Sequence, residues 1–456
     1  MEKVIDTTTG KYQGIETNNG VKFMGIKFGH PRRFKRAVPY RAKDKLNFAT
    51  RAGTQPMQEA ALDHDYSDIK FSEDCLNLDL FTPNPNGKHP IVIEFYGGGF
   101  LHGGTLDEVM PWLNNGKVIH IIPNYRLGLF GWANIADGDT NVGLSDQILA
   151  IKWVIDNADK FGGDVDDISL VGHSAGGKSI AALMASNSNV LDHIKKVVLF
   201  SGSLQTIRDK ETSKKVLERF CSDNKLTSKD LFNLTDDGLL LAQNKAIGNH
   251  LATNWFGPII DDDLISDNWQ DVLIDRQKRT NFKTLVEAGS NELIQLENFS
   301  INELKNSILE DLFGINSKVI LKQLPDDYQK SELLNLIGEA MYTYPADRTA
   351  QLLKDNGEVY GNYSNVLDGR HGGNVEYLAT KNADLPIDQR KNQKFYLQLI
   401  MDFIVNGKPY NDNLKYEWPL FDDNQLVMKL DPDDISSVSM ISHQWIQNLP
   451  WQTYKL

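Results

Sequence analysis

The stretch from Phe161 to Met184, FGGDVDDISLVGHSAGGKSIAALM, predicts a strand, a sharp turn and a helix in succession. Residues 168–171, ISLV, form a short and mostly apolar run of the kind found in a strand that is covered on both faces. Residues 179–185 have the composition and spacing of a helix. Ser174 therefore lies at a strand-to-helix turn, and the rest of the chain can be placed around it.

Two glycines flank Ser174 in this turn, Gly172 before it and Gly176 after it. Glycines there let the strand and helix backbones approach each other, and the serine is held in a strained conformation that exposes its Oγ. The amide of Ala175, at the start of the helix, would point at a substrate oxygen that becomes negative. This context predicts that Ser174 is a nucleophile. For the motif taken alone, an ordinary capping serine in a glycine-rich turn is the alternative.

Further strands are predicted on both sides of the turn, each as a short run of apolar residues. A helix is predicted from Ser145 to Val154, with apolar residues at helical spacing and Ser145 as its N-cap. Such alternation of strands and helices is typical of an α/β fold with a mostly parallel central sheet and helices on both faces. The predicted strands are 72–81, 90–96, 117–122, 197–203, 282–288 and 359–363.

The segments outside these strands complete the expected organisation. Residues of about 12–30 alternate apolar and polar positions around Asn19-Gly20, which predicts an N-terminal hairpin. The helical, charge-rich segments of about 205–255 and 296–356 are predicted to be cap insertions between strands. We therefore expect residues 1–456 to form one domain around a single sheet.

Composition limits the partners and the location of the protein. The net charge of −13 would repel phosphate backbones, so nucleic acid is not an expected partner. No apolar run approaches the roughly 18 residues of a membrane span, and the start lacks the basic and apolar regions of a secretory signal. The two cysteines, Cys75 and Cys221, are interpreted as buried free thiols in a reducing, cytoplasmic compartment.

Three glycines follow the predicted strand 90–96 directly. Gly97, Gly98 and Gly99 are costly in conformational entropy unless the backbone must approach another group. With the nucleophile turn downstream, we expect the N–H groups of Gly98 and Gly99 to join that of Ala175 in an oxyanion hole. A tight turn without a chemical role is the alternative.

Chain order restricts the choice of a base for the serine. When a serine at such a turn in an α/β sheet is the nucleophile, an acid and then a histidine follow it along the chain. Of the ten histidines, His371 and His443 lie after both Ser174 and a carboxylate at a strand end. His443 belongs to a helix-like stretch beside Trp445, where a packed histidine is the ordinary outcome. His371 follows the strand 359–363 and precedes two glycines, so we predict that it is the base.

The acid that orients this base has several candidates. Glu292 lies just past the strand 282–288, where a carboxylate can reach a histidine on the loop of the neighbouring strand. Glu297 is more readily explained as a charge on a helix face. The aspartates at 261–263 are interpreted as a solvated turn, because their spacing does not match a calcium loop. We favour Glu292, and we expect no metal and no other cofactor.

With these residues assigned, the chain resembles the type-B carboxylesterase family, which includes bacterial esterases and the cholinesterases. FGGDVDDISLVGHSAGG is similar to the serine signature of that family, and SEDCLNLDLF is similar to its upstream signature. EFYGGGF, NYRLGLFG, NVGLSDQILAIKWV, GPIIDDD and HGGNVEYL follow the family's order over nearly the whole length. The resemblance implies an α/β-hydrolase fold and ester hydrolysis by a triad of Ser174, Glu292 and His371.

Some positions depart from the family pattern. The family usually has a longer segment before the acid, so ungapped counting would place the acid at Ile294, and Glu297 stays an alternative. His173 stands where many relatives have glutamate. Extracellular relatives form a disulfide between an earlier cysteine and the one that corresponds to Cys75, but in this sequence no cysteine precedes Cys75. Cholinesterases use a tryptophan in the same loop for the aromatic cage that binds choline, but here no tryptophan precedes Trp112.

The expected activity is hydrolysis of small-molecule esters, with short to medium acyl chains, through an acyl-enzyme intermediate. A lipase acting on longer-chain acylglycerols is the first alternative, although the segment 205–255 is strongly charged for an apolar lid. A non-catalytic binding protein of the same fold is the second alternative, and the presence of a complete triad argues against it. The expected pocket residues are Phe100, Leu101, His102, Phe200, Trp255 and Leu293.

Overall fold

A large twisted sheet with helices on both faces carries the rest of the molecule. The computed structural model of the protein describes residues 4–42, 46–59, 69–106, 110–248, 250–411, 416–432, 434–439 and 449–456. The strands of this part, numbered β1 to β18 along the chain, are Val4–Thr7, Gly10–Gln13, Ile15–Thr17, Gly20–Lys27, Gly29–Arg32, Lys35–Pro39, Leu46–Phe48, Asn77–Thr82, His89–Phe95, Ile119–Pro123, Gly163–His173, Ile194–Phe200, Lys283–Gly289, Val359–Ser364, Tyr410–Asn411, Tyr416–Glu417, Leu426–Leu430 and Ile435–Ser439.

The helices surround this sheet and also form the two cap insertions. In the described residues, the α-helices, numbered α1 to α13, are Gly128–Trp132, Val142–Asn157, Ala175–Met184, Lys210–Asn224, Asp236–Ile247, Trp269–Thr280, Ile301–Glu303, Leu309–Phe313, Ser317–Leu321, Lys330–Gly338, Tyr344–Leu353, Gly373–Ala379 and Ile387–Asn406. Two π-helical turns, Leu304–Ile308 and Glu339–Thr343, join α7 to α8 and α10 to α11.

The main sheet has 11 strands in the order β18-β17-β14-β13-β12-β11-β9-β10-β8-β4-β3. Every neighbouring pair from β10 through β9, β11, β12, β13 and β14 to β17 is parallel, and the pairs at both edges are antiparallel. Strands β3 and β4 form the N-terminal hairpin, with Thr17 opposite Gly20. The mostly parallel sheet that the alternation of strands and helices predicts is therefore confirmed.

Side chains of the central strands alternate between two apolar cores. On β9, Ile91 and Ile93 belong to the core on the α2 and α3 side, whereas Val92 between them belongs to the core under α13. On β11, Leu170 and Val171 divide in the same way. Because both faces are covered, these strands are continuous apolar runs rather than alternating ones.

Both cap insertions leave the sheet at the carboxyl ends of neighbouring strands. Helices α4, α5 and α6 lie between β12 and β13, and α7 to α11 lie between β13 and β14. The second insertion has its own apolar cluster, in which Leu309, Phe313 and Met341 are fully buried. The described helices include none that is long and apolar enough to cross a membrane. Both cysteines are free thiols, Cys75 being buried and Cys221 half-buried, which differs from the prediction for Cys221.

Helix α2 begins earlier than its sequence predicts. It starts at Val142 after Asn141, whose φ of 52° is left-handed, and Ser145 lies inside the first turn. The Asn141 amide donates to the carbonyl of Ile259 at 2.9 Å and to Asp261 Oδ2 at 2.7 Å. The sequence predicts a solvated Asp261, but its side chain is only 1% exposed. Contacts that are distant in sequence therefore decide both features.

Candidate active site

Ser174 occupies a strained turn between the end of β11 and the start of α3. Its φ of 54° and ψ of −120° are unfavourable for a residue with a side chain. A Cβ added at Gly176 would lie 1.8 Å from the carbonyl oxygen of Phe95, and one at Gly172 would lie 2.6 Å from Gly176 C. The flanking glycines are therefore required by direct backbone contact, as the sequence predicts for a nucleophile turn.

His371 lies between Ser174 and Glu292 in the described structure. Its Nε2 is 2.8 Å from Ser174 Oγ, and its Nδ1 is 2.6 Å from Glu292 Oε2. A carboxylate accepts hydrogen bonds, so the network places the proton on Nδ1 and leaves the Nε2 lone pair facing the serine hydroxyl. This arrangement can take a proton from Ser174.

Glu292 is fixed by the loop that follows β13 and is 1% exposed. Its second oxygen, Oε1, accepts hydrogen bonds from Ser201 Oγ at 2.7 Å and from the Gly289 amide at 2.6 Å. The backbone amide of His371 donates to the carbonyl of Glu292 at 3.1 Å. The loop before Glu292 thus brings its carboxylate to His371.

The other candidates for base and acid lie elsewhere. Glu297 is exposed, and its carbonyl oxygen accepts a hydrogen bond from Lys330. Asp261 belongs to the contacts around the start of α2. His443 lies outside the described residues. In the described part of the chain, no group of His, Cys, Asp or Glu side chains is arranged to hold a metal ion.

The glycine loop after β9 lies against the nucleophile turn. Gly98 and Gly99 have φ values of 97° and 62°, which favour glycine. A Cβ added at Gly97 would lie 3.2 Å from Ser174 Cβ, so a side chain at that position would crowd the serine. Gly98 and Gly99 line the same cavity as Ser174, and Ala175 is the first residue of α3.

An open cavity of about 500 Å³ leads to Ser174 and His371. Both caps contribute apolar side chains to its walls, and the glycine loop also lines it. The lining residues are Gly98, Gly99, Leu101, His102, His173, Ser174, Ile247, His250, Leu251, Ala252, Thr253, Leu293, Gln295, Leu296, Leu312, Met341, Tyr342 and His371.

Three of the six predicted pocket residues line this cavity, namely Leu101, His102 and Leu293. The structure places the other three in the apolar core instead. Phe100 packs edge-on against Trp132 with ring centroids 4.9 Å apart. Phe200 is fully buried in the sheet, and Trp255 is buried against Phe220 at 6.0 Å. Large aromatic residues near a turn are as readily used for packing as for contact with a ligand.

Several residues of the site have no signal in the sequence. Ser201 follows β12 as an ordinary small residue, and Tyr342 belongs to a helical segment that is far from Ser174 in sequence. The Tyr342 ring packs against that of His371, with centroids 4.3 Å apart. On another side, the His173 ring lies 4.9 Å from that of His371. Burial lowers the pKa of His173 well below its usual value, and neighbouring His371 and Lys178 lower it further.

Comparison with known proteins identifies similar esterases and hydrolases. Para-nitrobenzyl esterase from Bacillus subtilis (strain 168) is 32% identical over 225 residues, which are 46% of each chain. Acetylcholinesterase 1 from Caenorhabditis elegans is 32% identical over 309 residues, covering 59% of this chain and 48% of that protein. Phenmedipham hydrolase from Pseudarthrobacter oxydans is 35% identical over 193 residues, covering 40% and 39%. The matched segments span less than half the length of these relatives.

Solved structures are similar over almost the entire chain. A PNB esterase has a TM-score of 0.82 at 22% identity, covering 97% of this chain and 98% of its own. A thermophilic PNB esterase has a TM-score of 0.83 with the same coverage. These likenesses confirm the α/β-hydrolase fold. The model of the carboxylesterase family matches residues 1–444, and the chain therefore belongs to that family.

Proposed function

We propose that this protein is a serine carboxylesterase that hydrolyses small-molecule esters with short to medium acyl chains. The observation that carries the proposal is the continuous hydrogen-bonded series from Ser174 through His371 to Glu292, at 2.8 and 2.6 Å, in which Ser174 and His371 line an open cavity. The names of the similar proteins, para-nitrobenzyl esterase among them, support the same reaction class.

The reaction proceeds in two steps. His371 takes the hydroxyl proton as Ser174 Oγ attacks the ester carbonyl, and the tetrahedral oxyanion is stabilised by the amides of Gly98, Gly99 and Ala175. His371 then gives the proton to the leaving alcohol, so that Ser174 carries the acyl group. Water attacks the acyl-enzyme with His371 again as the base, and the acid product and free serine are released.

Glu292 holds His371 in the reactive tautomer throughout and stabilises the imidazolium that forms. Each step uses side chains and backbone amides of this chain, and the scheme requires no cofactor. Residence in a reducing compartment stays a prediction, supported by the free thiols of Cys75 and Cys221.

The proposal is tested by hydrolysis of p-nitrophenyl esters from acetate to decanoate, measured for wild-type protein and Ser174→Ala. We expect turnover of the shorter esters by the wild type and background rates for the variant, with the fold of both verified by circular dichroism. Equal activity of the two proteins would refute the assignment of Ser174.

The alternatives give different results when emulsified triglycerides and ester binding are measured beside this assay. Preference for emulsified triglycerides over soluble short-chain esters would indicate a lipase. Tight binding of esters without turnover by the wild type would indicate a binding protein of this fold. The cavity of about 500 Å³ has room for an acyl chain together with an aromatic alcohol, so p-nitrophenyl esters are suitable substrates for this test.

A further inference from the structure

Lys178 is a buried cation directly beneath the proposed active site. It lies in the first turns of α3, four residues after Ser174, and is 1% exposed. Its Nζ donates to Asn254 Oδ1 at 3.2 Å, and in the described part of the chain it forms no ion pair. A buried and unpaired charge is expensive, so a residue of this kind points to a role other than stability.

Asn254 connects Lys178 to the walls of the cavity. It belongs to the short helical turn Ala252–Asn254 of the first cap. Its amide nitrogen donates to the carbonyl of Leu312 at 2.9 Å and lies 3.2 Å from Met341 Sδ. Leu312 and Met341 come from the second cap, and both line the cavity. One buried amide thus joins the two caps to the helix that carries Ser174.

Tyr342 connects Lys178 to the catalytic base. The Lys178 ammonium lies over the Tyr342 ring, 5.2 Å from its centroid, in a cation–π contact. The same ring packs against His371 with an interplanar angle of 34°. Tyr342 belongs to the π-helical turn Glu339–Thr343, a type of irregularity that often occurs at functional sites.

We propose that Lys178 is a positioning residue for ester hydrolysis. Its ammonium group holds Tyr342 against His371 and, through Asn254, holds the cap residues that form the cavity wall. This inference rests on the proposed esterase function. Lys178 touches neither the substrate nor the reacting atoms, and it acts through the alignment of His371 and through the shape of the cavity.

The charges around Lys178 give the proposal a pH signature. Burial lowers the pKa of Lys178 to about 8, and the carboxylate of Glu292 opposes that shift. Tyr342 has a raised pKa and His173 a lowered one, both mainly through burial, so neither group titrates near pH 8. As Lys178 loses its proton, its amine still donates to Asn254, but the cation–π contact with Tyr342 is lost.

The test compares wild-type protein with Lys178→Gln and Lys178→Met. Gln keeps a hydrogen-bond donor without the charge, whereas Met removes both. We expect kcat for p-nitrophenyl acetate to fall about 10-fold or more in both variants, because small misplacements of catalytic groups are costly. KM should rise mainly in Lys178→Met. The wild type should lose kcat above about pH 8, and the two variants should not show this decline.

Thermal unfolding separates this role from a structural one. We expect the melting temperature of Lys178→Met to equal or exceed that of the wild type, because a buried charge is removed. Lys152→Met, at an exposed lysine of α2, is the control and should leave kcat, KM and the pH profile unchanged. Ser174→Ala supplies the background rate of ester hydrolysis at each pH.

Each result decides between the two proposals. If Lys178→Gln kept the kcat of the wild type, the role of Lys178 would be overturned and the esterase function would stand. The same holds if kcat declined above about pH 8 in both variants as it does in the wild type. Loss of kcat in parallel with a lower melting temperature in both variants would show a structural role and would also overturn it. A wild-type rate no higher than that of Ser174→Ala would instead reject the proposed function itself.

Discussion

Glu292 divides its two oxygens between His371, the proposed base, and the sheet. Ser201 Oγ and the Gly289 amide both donate to Oε1. In the Glu292→Gln variant, the side-chain oxygen would therefore stay on the side of these two donors. Its amide N–H would then face His371 Nδ1 and place the imidazole proton on Nε2, opposite Ser174. We expect kcat for short esters to fall about 10,000-fold with little change in KM, the result of a wrong tautomer.

Two further variants calibrate this loss. Ser201→Ala removes one buried hydrogen bond to the carboxylate, so we expect a decrease of about 10-fold. Glu297→Gln, at the exposed alternative acid, should leave the rate unchanged. If Glu292→Gln retained more than about a tenth of the wild-type kcat, another group would have to orient His371.

Single residues of the site differ in how far the sequence predicts them. Ser174 and His371 follow from a strand-to-helix turn, from flanking glycines and from chain order, all of which are visible in the sequence. Tyr342 and Lys178 reach the site through cap and helix packing, which local patterns do not encode. The pocket assignment failed for Phe100 and Phe200 for the same reason, because an apolar residue next to a turn can face either the core or the cavity.

The element that most constrains the site is the turn from β11 to α3, which packs directly on β9. At Gly176 the obstacle to a side chain is contact alone, since a Cβ would lie 1.8 Å from Phe95 O. At Gly116 it is backbone conformation alone, with a φ of 84° and no atom within 4 Å of the added Cβ. The two glycines therefore form a matched pair for substitution by alanine.

We expect Gly176→Ala to give no soluble folded protein. Ordinary overpacking of a core costs about 1–3 kcal/mol, and a Cβ that overlaps a backbone oxygen costs more than that. Gly116→Ala should fold and lose about 1 kcal/mol, the cost of a left-handed conformation. Soluble yield and the midpoint of thermal unfolding measure both effects. A Gly176→Ala protein with a wild-type midpoint would contradict the packing of α3 on β9.

Elements of the sheet are more predictable than the helices that cover it. Buried parallel strands are short apolar runs wherever they occur, so β9, β11 and β13 can be located from sequence alone. The start of α2 cannot, because Asn141 is held by Ile259 and Asp261, which are more than a hundred residues away.

At the scale of the whole molecule, the sheet and the helices that follow its central strands meet at buried polar groups. Glu287, on β13, is fully buried and accepts a hydrogen bond from Asn374 of α12. Tyr396 of α13 also bonds to it. The sheet is thereby tied to two helices on one face by a carboxyl group that water does not reach.

Burial raises the pKa of Glu287 from 4.5 to about 7, against the opposing effect of hydrogen bonds from Tyr396, Asn362 and Asn374. Because the folded pKa lies above the unfolded one, the protonated form stabilises the fold. This contribution is complete below about pH 4.5 and is lost as pH rises through about 7. The shift corresponds to about 3 kcal/mol at pH 8.

Glu287→Gln is neutral at every pH and keeps groups that can bond to Asn374 and Tyr396. We therefore expect the melting temperature of Glu287→Gln, relative to that of the wild type, to be about 3 °C higher at pH 8 than at pH 4.5. This magnitude applies to a chain of 456 residues. Glu297→Gln, at an exposed position, is the control for removal of a carboxylate, and its difference from the wild type is subtracted at each pH. If the difference in melting temperature between Glu287→Gln and the wild type did not change with pH, Glu287 would ionise in the folded protein as it does in the unfolded chain. Its burial would then place no pH-dependent cost on the fold.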